Sequence, residues 1–321
     1  MFVSIFVTIK GIMILKSMKP KVGYVTILGL PNAGKSTLLN ALLGQKLSIT
    51  TSKPQTTRKR ILGILSDENY QIIFLDTPGI LKPVYLLQEK MMDAVVQSVK
   101  DADVIILILD VALDPGGEKT LKNSFIYDLL SKSKKPKILL LNKIDLSTQQ
   151  HISGLIDKVE KTKYFRKIIP ISSKLAYNVH SVITEIIECL PEGSKFYPDD
   201  IVAEKDERFF VSEIIREKIF EFYKDEVPYS CEVVIADFKE REGRKDFIQA
   251  EIIVEKESQK GILIGKGGAA LKKVGEESRT SIEEFLQRQV YLDLHVKVKS
   301  KWRTDEKMLK SFGYSKEKDN E

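Results

Sequence analysis

Eight residues near the start of the chain, Gly29 to Ser36, read G-L-P-N-A-G-K-S and lie between a strand-like apolar run and a helix-like run. Glycines at this spacing let backbone N–H groups curl around phosphates, and the helix that follows points its positive end at the same anion. Lys35 can reach the β- and γ-phosphates as a point charge, and the Ser36 hydroxyl can ligate Mg²⁺. The sequence therefore predicts a nucleoside-triphosphate site at Gly29, Asn32, Ala33, Gly34, Lys35, Ser36 and Thr37.

A second motif, Asp76-Thr77-Pro78-Gly79, follows the strand-like run 71–75. An aspartate at this place can hold Mg²⁺ through water. Gly79 can offer its N–H to the γ-phosphate while it permits a mobile loop. Both residues are therefore added to the predicted triphosphate site.

Two motifs after later strands could select the base. Asp145, in Asn142-Lys143-Ile144-Asp145, could accept hydrogen bonds from the N1–H and N2–H₂ groups of guanine, which adenine does not present in that arrangement. The stem of Lys143 could pack over the base. Ser172, Ser173 and Lys174 could place backbone N–H groups near guanine O6. The sequence therefore predicts GTP rather than ATP.

These residues, in this order, resemble the five guanine-nucleotide motifs of the translation-factor-like GTPases. The resemblance implies a threonine ligand in the loop before the second strand, where Gln55-Thr56-Thr57-Arg58 fits. We favour Thr57 over Thr56, so Ser36, Thr57 and Asp76 form the expected Mg²⁺ site. The segment 47–59 suits a loop that triphosphate and Mg²⁺ order and that hydrolysis releases.

Two residues depart from the pattern of small signalling GTPases. Ile80 stands where those enzymes carry a glutamine that positions the attacking water, so unaided hydrolysis should be slow. Asn32 resembles the asparagine of bacterial GTPases whose loop reads GxPNxGKS, where it is associated with K⁺ in place of an arginine finger. Asn32 is thus a candidate K⁺ ligand, and an asparagine tolerated in a turn is the alternative. Catalytic roles are expected for Asn32, Lys35, Thr57 and Gly79.

A different pattern follows the polar stretch 191–206, and it places the turn Gly265-Lys266-Gly267-Gly268 between two helix-like runs. The turn, with its flanking helices and strands, resembles a KH domain of the bacterial type. A turn without side-chain bulk lets nucleic-acid phosphates approach, and the groove beside it takes about four unpaired bases. The expected RNA contacts are Ile262, Ile264, Gly265, Lys266, Gly267, Gly268, Leu271 and Lys272. Trp302 is expected to be a packing residue rather than a base platform.

The patterns divide the chain into two domains. Short Val/Ile/Leu runs at 22–28, 61–65, 71–75, 104–110, 137–141 and 168–171 alternate with helical runs, including one at 117–131. They predict an α/β P-loop GTPase domain, residues 19–190, with a mainly parallel six-stranded sheet. Residues 191–206 read as a linker or a tightly draped connector, and 207–314 as a smaller α+β KH (type II) domain. Residues 1–18 are expected to be a non-structural extension and 315–321 a disordered tail.

A P-loop GTPase domain followed by one KH domain resembles the Era family of bacterial GTPases, within the TrmE-Era-EngA-like group. The resemblance implies a monomer that binds GTP or GDP and the 3′ end of 16S rRNA on the small (30S) ribosomal subunit. It also implies a cytoplasmic protein with peripheral association at the inner membrane.

Composition agrees with this family. The chain of 321 residues carries a mild net charge of +6, which permits a nucleic-acid partner without requiring one. Its two cysteines lie far apart without metal spacing, as suits a reducing compartment. Two other hypotheses stay open: a membrane or cell-cycle signalling GTPase, and an RNA-binding protein that uses nucleotide only as a structural ligand.

Overall fold

A six-stranded sheet organises the first domain in the computed structural model, which describes residues 8–9, 12–13 and 19–314. After a short pair, β1 (Thr8–Ile9) and β2 (Ile12–Met13), its strands are β3 (Lys21–Gly29), β4 (Ile61–Asp67), β5 (Tyr70–Asp76), β6 (Val104–Asp110), β7 (Lys137–Asn142) and β8 (Lys167–Pro170). Its helices are α1 (Lys35–Leu43), α2 (Leu86–Asp101), α3 (Glu118–Leu121), α4 (Ser124–Ser131), α5 (Gln149–Glu160) and α6 (Val179–Cys189).

The strands lie in the order β4-β5-β3-β6-β7-β8, and each neighbouring pair is parallel except β4 with β5. Every residue of β6 is buried, as expected for a strand covered by helices on both faces. The predicted α/β domain with a mainly parallel sheet is confirmed. Parallel strands bring their carboxyl ends to one edge, so the motifs after β3, β5, β7 and β8 meet there.

Two helices occupy the segment 117–131, where the sequence predicted one. α3 ends at Leu121, and Asn123 begins α4 by accepting a hydrogen bond from the Ile126 N–H at 3.1 Å. An asparagine at this position satisfies a free N–H group of the new helix. The apolar spacing continues across the break, which is why periodicity alone did not reveal it.

The second domain contains α7 (Glu207–Phe222), α8 (Val227–Ser230), β9 (Glu232–Lys239), β10 (Asp246–Val254), α9 (Glu257–Ile264), α10 (Ala269–Leu286), β11 (Val290–Val298) and α11 (Glu306–Ser311). Its sheet has the order β11-β10-β9, with β10 parallel to β11 and antiparallel to β9. One sheet face packs on α7 and α10 through residues such as Ile215, Ile248 and Ile282. This is the predicted α+β domain.

Residues 191–206 are bonded to the first domain. The Val22 N–H donates to the Pro191 carbonyl at 3.0 Å, and the Ile64 N–H donates to the Val202 carbonyl at 2.9 Å. The segment is therefore the draped connector rather than a free linker. The predicted tail 315–321 and all of 1–18 except the pair β1–β2 lie outside the described residues. Within the described part of the chain, no helix is long and apolar enough to cross a bilayer.

Candidate functional site

The loop 29–36 encloses the buried amine of Lys35, which is the first residue of α1. Lys35 Nζ donates to the carbonyls of Gly29 at 3.3 Å and Leu30 at 3.0 Å. Burial lowers the pKa of Lys35 to about 8, although Asp76 acts in the opposite direction. An anion that replaced these carbonyls would stabilise the charged amine and would also meet the N-terminus of α1.

Oxygen atoms from three separate elements converge at the expected metal site. Ser36 Oγ lies 2.8 Å from Thr57 Oγ1 and donates to Asp76 Oδ2 at 2.8 Å. The other carboxylate oxygen, Asp76 Oδ1, is buried and has no hydrogen-bond partner among the described residues. Burial raises the pKa of Asp76, an effect that a bound cation would oppose. This set of hydroxyl and carboxylate oxygens fits Mg²⁺.

The geometry favours Thr57 over Thr56. The Thr56 hydroxyl lies 2.8 Å from the Thr51 hydroxyl and donates to the Lys53 carbonyl at 2.9 Å, so it is held inside its own loop. Only the Thr57 hydroxyl reaches Ser36. The sequence-based choice between the two threonines therefore agrees with the arrangement of the side chains.

The residues after β5 lie directly against the P-loop. A Cβ atom at Gly79 would be 2.8 Å from Pro31 Cα, so a side chain there would displace the backbone of the phosphate loop. The Ile80 N–H donates to the Gly29 carbonyl at 3.0 Å, while the Ile80 side chain is buried in the core. A side chain that faces the core cannot orient a water molecule, as expected from the absence of glutamine at this position.

Asn142 braces two loops of the site. Its Nδ2 donates to the Ala33 carbonyl at 2.8 Å, and its Oδ1 accepts from the Ser173 N–H at 2.9 Å. It therefore links the P-loop to the loop after β8. Lys143 forms an ion pair with Asp110 at 2.6 Å, which fixes its stem beside the site, whereas Asp145 is exposed on the following turn.

A cavity of about 330 Å³ joins the phosphate end of the site to the loop 47–59. The predicted residues that line it are Asn32, Gly34, Lys35, Ser36, Thr37, Thr57, Gly79 and Lys143. Asp145, Ser172, Ser173 and Lys174 do not line it; they lie on the loops after β7 and β8. Asn32 Nδ2 donates to the Ser52 carbonyl at 2.9 Å, which ties the P-loop to the same loop.

Sequence reasoning missed several lining residues, among them Gln55 and Leu113. Gln55 has a φ of +61° and lies 3.2 Å from the Gln88 amide, so it connects the loop 47–59 to α2. Its position next to Thr56 and Thr57 in the sequence could have indicated that it lines the site. Leu113 is 62% exposed and comes from the loop after β6, where no motif marks it.

The loop 47–59, called the switch loop below, is held by the second domain. Arg58, which follows Thr57, is 3% exposed and donates to the carbonyls of Pro228, Tyr229 and Cys231 at 3.0, 3.1 and 2.6 Å. These carbonyls lie where α8 leads into β9. The guanidinium therefore anchors the residue next to the metal-site threonine to another domain.

Further contacts secure the same loop. Lys53 donates to the carbonyls of Phe220 and Tyr223 at the end of α7, and the Thr50 N–H donates to Glu217 at 3.0 Å. Lys59 lies 2.8 Å from Glu232, which is nearly fully buried. Since the loop carries Thr57 at one side and these bonds at the other, its position depends on both domains.

Glu232 is the carboxylate that balances the cations at this junction. Burial by itself would raise the pKa of Glu232, but Lys59 and then Arg58 outweigh burial and lower it. The Tyr314 hydroxyl donates to Glu232 at 2.8 Å and so ties the end of the described chain to the junction. Trp302 is fully buried and donates to the Ser230 carbonyl at 2.9 Å, which confirms its predicted packing role.

The second domain has a groove of about 430 Å³ beside its glycine turn. Three of the expected RNA contacts, Gly268, Leu271 and Lys272, line it, together with Lys245, Gly275, Glu276, Arg279, Val290, Tyr291, Leu292 and Leu294. Gly267 has a φ of +60° and open space around its Cα, which suits close approach of a phosphate. Ile262, Ile264, Gly265, Lys266 and Gly267 lie on the adjoining helix end and turn, and they do not line the groove itself.

Comparison with known proteins agrees with both domains. Residues 24–143 match the family described as 50S ribosome-binding GTPase, and residues 226–303 match the KH domain. A crystal structure of an Era variant from Aquifex aeolicus bound to GDP·AlF4⁻ superposes with a TM-score of 0.84 at 39% identity, covering 92% of this chain and 100% of that one. Era in complex with MgGDPNP and nucleotides 1506–1542 of 16S ribosomal RNA gives 0.85 at 39% identity, with the same coverage.

Curated relatives match over nearly the same length. GTPase Era of Geobacter is 46% identical over 91% of this chain and 97% of its own length. GTPase Era of Clostridium beijerinckii is 44% identical over 92% and 97%, respectively. The chloroplastic GTPase ERA1 of Zea mays is 46% identical over 92% of this chain and 71% of its own. The chain belongs to the Era family of GTPases.

Proposed function

We propose that this GTPase is a molecular switch that binds the single-stranded 3′ end of 16S rRNA through its KH domain and assists maturation of the small (30S) ribosomal subunit. The observation that carries the proposal is the Arg58 anchor, which joins the nucleotide-sensing loop to the KH domain. The name of the matched GTPase family refers to the 50S subunit, and that match covers residues 24–143 alone. The complex with 16S rRNA resembles 92% of the chain, so we favour the small subunit.

The nucleotide would be bound by groups already in place. Lys35 and the N–H groups of Gly29, Asn32, Ala33, Gly34, Ser36, Thr37 and Gly79 would bind the phosphates. Ser36, Thr57 and Asp76 would hold Mg²⁺, which neutralises charge that develops on the phosphates. Asp145, Lys143 and the loop 172–174 would bind guanine, with Asn142 bracing that loop against the P-loop.

Asn32 would ligate K⁺ beside the phosphates. Its Nδ2 donates to the Ser52 carbonyl, so the side chain lies between the P-loop and the switch loop, and its amide oxygen Oδ1 would be the atom that ligates the cation. K⁺ at this place would supply the positive charge that an arginine finger supplies elsewhere. Such a charge matters here because Ile80 cannot position the attacking water as a glutamine would.

GTP would favour the arrangement that binds RNA, and hydrolysis would release it. Thr57 contacts the metal site, and its neighbour Arg58 contacts the KH domain. Loss of the γ-phosphate would weaken the hold of the Mg²⁺ site on Thr57, and the attachment of Arg58 to the KH domain would change with it. The proposal places the protein in the cytoplasm as a monomer, and peripheral association with the inner membrane stays an expectation from the family.

Crosslinking of the GTP-bound protein to cellular RNA tests the proposal. We expect sequenced sites to concentrate at the 16S 3′ end and to disappear in the double variant Lys266→Asp with Gly267→Asp. That variant should also accumulate precursor small subunits. Scattered crosslinks, or normal ribosomes in the double variant, would instead support a membrane or cell-cycle signalling role.

The alternative of a purely structural nucleotide has its own test. Hydrolysis that continues over many turnovers in the wild type and is lost in Lys35→Ala would exclude it, since Lys35 is the cation of the phosphate loop. Binding of GTP without turnover in the wild type would support it.

A further inference from the structure

The exposed tyrosine Tyr291 stands at the rim of the KH groove. It is the second residue of β11, an edge strand with no further strand beside it in the described sheet. Its neighbours Val290, Leu292 and Leu294 face α10 and line the groove. Tyr291 also borders the groove, but because side chains alternate along a strand its ring points to the opposite face of the sheet, at the exposed edge that β11 forms. The tyrosine is 58% exposed, so much of its ring is open to solvent.

Phe247 supports one face of the tyrosine ring. It is the register partner of Tyr291 on β10, and the two rings are stacked with centroids 6.0 Å apart and planes 13° apart. Arg241 and Lys239 lie 5.0 and 5.9 Å from the centroid of the Phe247 ring. Because β11 is an edge strand, the second face of Tyr291 stays open.

Two cations border the same groove as Tyr291. Lys245 and Arg279 line the same cavity as Tyr291, and neither forms an ion pair with a carboxylate among residues 19–314. Cations without protein partners beside an open aromatic ring match a polyanion that carries flat bases. An acidic peptide would match the charge, but it would leave the ring face without a stacking partner.

We infer that Tyr291 is a stacking site for one nucleobase of a single RNA strand, next to the bases that occupy the groove, and that Lys245 and Arg279 contact the adjoining phosphates. The inference rests on the proposed RNA binding and deepens it. It lengthens the bound strand by one nucleotide and makes that position tolerant of sequence, since every base has a π-face.

The test compares Tyr291→Ala with Tyr291→Phe in the full-length protein. Binding of fluorescent single-stranded RNA oligonucleotides of increasing length would be measured by anisotropy with a GTP analogue and Mg²⁺. We expect Tyr291→Ala to weaken binding of the longer oligonucleotides by about 5- to 150-fold, the range for loss of one stacked base. Tyr291→Phe should bind like the wild type. Tyr127→Ala is the matched control, because Tyr127 is 59% exposed on the other domain.

An abasic substitution moved along the oligonucleotide identifies the stacked base. At one position the abasic substitution should weaken binding by the wild type and have no further effect on binding by Tyr291→Ala. The loss of wild-type affinity at that position should be the same at low and high salt. Equal affinity of Tyr291→Ala and wild type for every oligonucleotide would overturn the inference. If Tyr291→Ala binds like the wild type while Gly267→Asp does not bind, RNA binding by the groove stands and only the stacking inference has failed. If wild type binds no oligonucleotide, the proposed function itself has failed.

Discussion

Replacing Arg58 with methionine should uncouple the nucleotide site from the RNA site. Methionine keeps an unbranched apolar stem like that of arginine and removes the donors that hold Pro228, Tyr229 and Cys231. The KH groove and the P-loop residues are unchanged by this substitution. GTP and GDP should therefore still bind, but the choice between them should no longer alter RNA affinity.

The size of the effect follows from the contacts of the anchor. A hydrogen bond to a charged group contributes about 1.5–3 kcal/mol, and loss of one partner from a buried pair costs about 3–5 kcal/mol. Glu232 keeps Lys59 and Tyr314 when Arg58 is removed, so the lower end, about 3 kcal/mol, is the appropriate value. Only the part of this free energy that differs between the GTP and GDP states contributes to coupling. An upper limit of about 3 kcal/mol corresponds to a ratio of RNA affinities, GTP state over GDP state, of at most about 150-fold.

The assay is RNA binding by anisotropy with a GTP analogue and with GDP, and the ratio of the two affinities reports the coupling. The wild type should give a ratio between about 5 and 150, and Arg58→Met a ratio within about twofold of one. The matched control is Arg60→Met, because Arg60 pairs with Asp101 inside the first domain. Lys53→Met, which removes the anchor at the end of α7, should lower the ratio partially.

A wild-type ratio in Arg58→Met would refute the reasoning. So would an equal loss in Arg60→Met, because that result would trace the effect to the charge of the loop rather than to its attachment. Circular dichroism and retained affinity for GDP show that a variant with a low ratio is folded.

Three other predictions follow. Burial lowers the pKa of Lys35 without nucleotide to about 8, whereas phosphate would hold it charged. GDP affinity should therefore be constant below about pH 7 and fall by about tenfold between pH 7 and pH 9, which calorimetry would measure. A flat profile would contradict that assignment. Hydrolysis should be about tenfold or more faster in K⁺ than in Na⁺, and Asn32→Ala should remove the difference. Trp302→Ala should lower the free energy of unfolding by about 3–5 kcal/mol in urea titrations, because its ring is fully buried, whereas the exposed Tyr127→Ala should change it by under about 0.5 kcal/mol.

The strands and the phosphate loop could be predicted because their signals are local. β6, predicted at 104–110, occupies Val104–Asp110, since a short continuous run rich in β-branched residues favours a strand buried on both faces. The turn at Gly265 to Gly268 was equally readable, because glycine is the residue that adopts a positive φ without a steric penalty.

The anchor between domains could not be predicted. In the sequence, Arg58 resembles any solvated charge. Its acceptors are backbone carbonyls 170 or more positions away, and a backbone carbonyl leaves no signal in the residue types. The bracing role of Asn142 escaped for a similar reason, since the motif suggested a contact with the base and gave no sign of the bonds to Ala33 and Ser173. Long-range polar bonds of this kind depend on how the folded loops meet.

The central claim is that the bound nucleotide of this chain changes its affinity for a single RNA strand. The most direct measurement is the affinity of the full-length protein for an oligonucleotide of the 16S 3′ end, with Mg²⁺ and either a GTP analogue or GDP. The account predicts binding at least about fivefold tighter with the GTP analogue, the lower bound of ordinary coupling. Equal affinity in the two nucleotide states would contradict it.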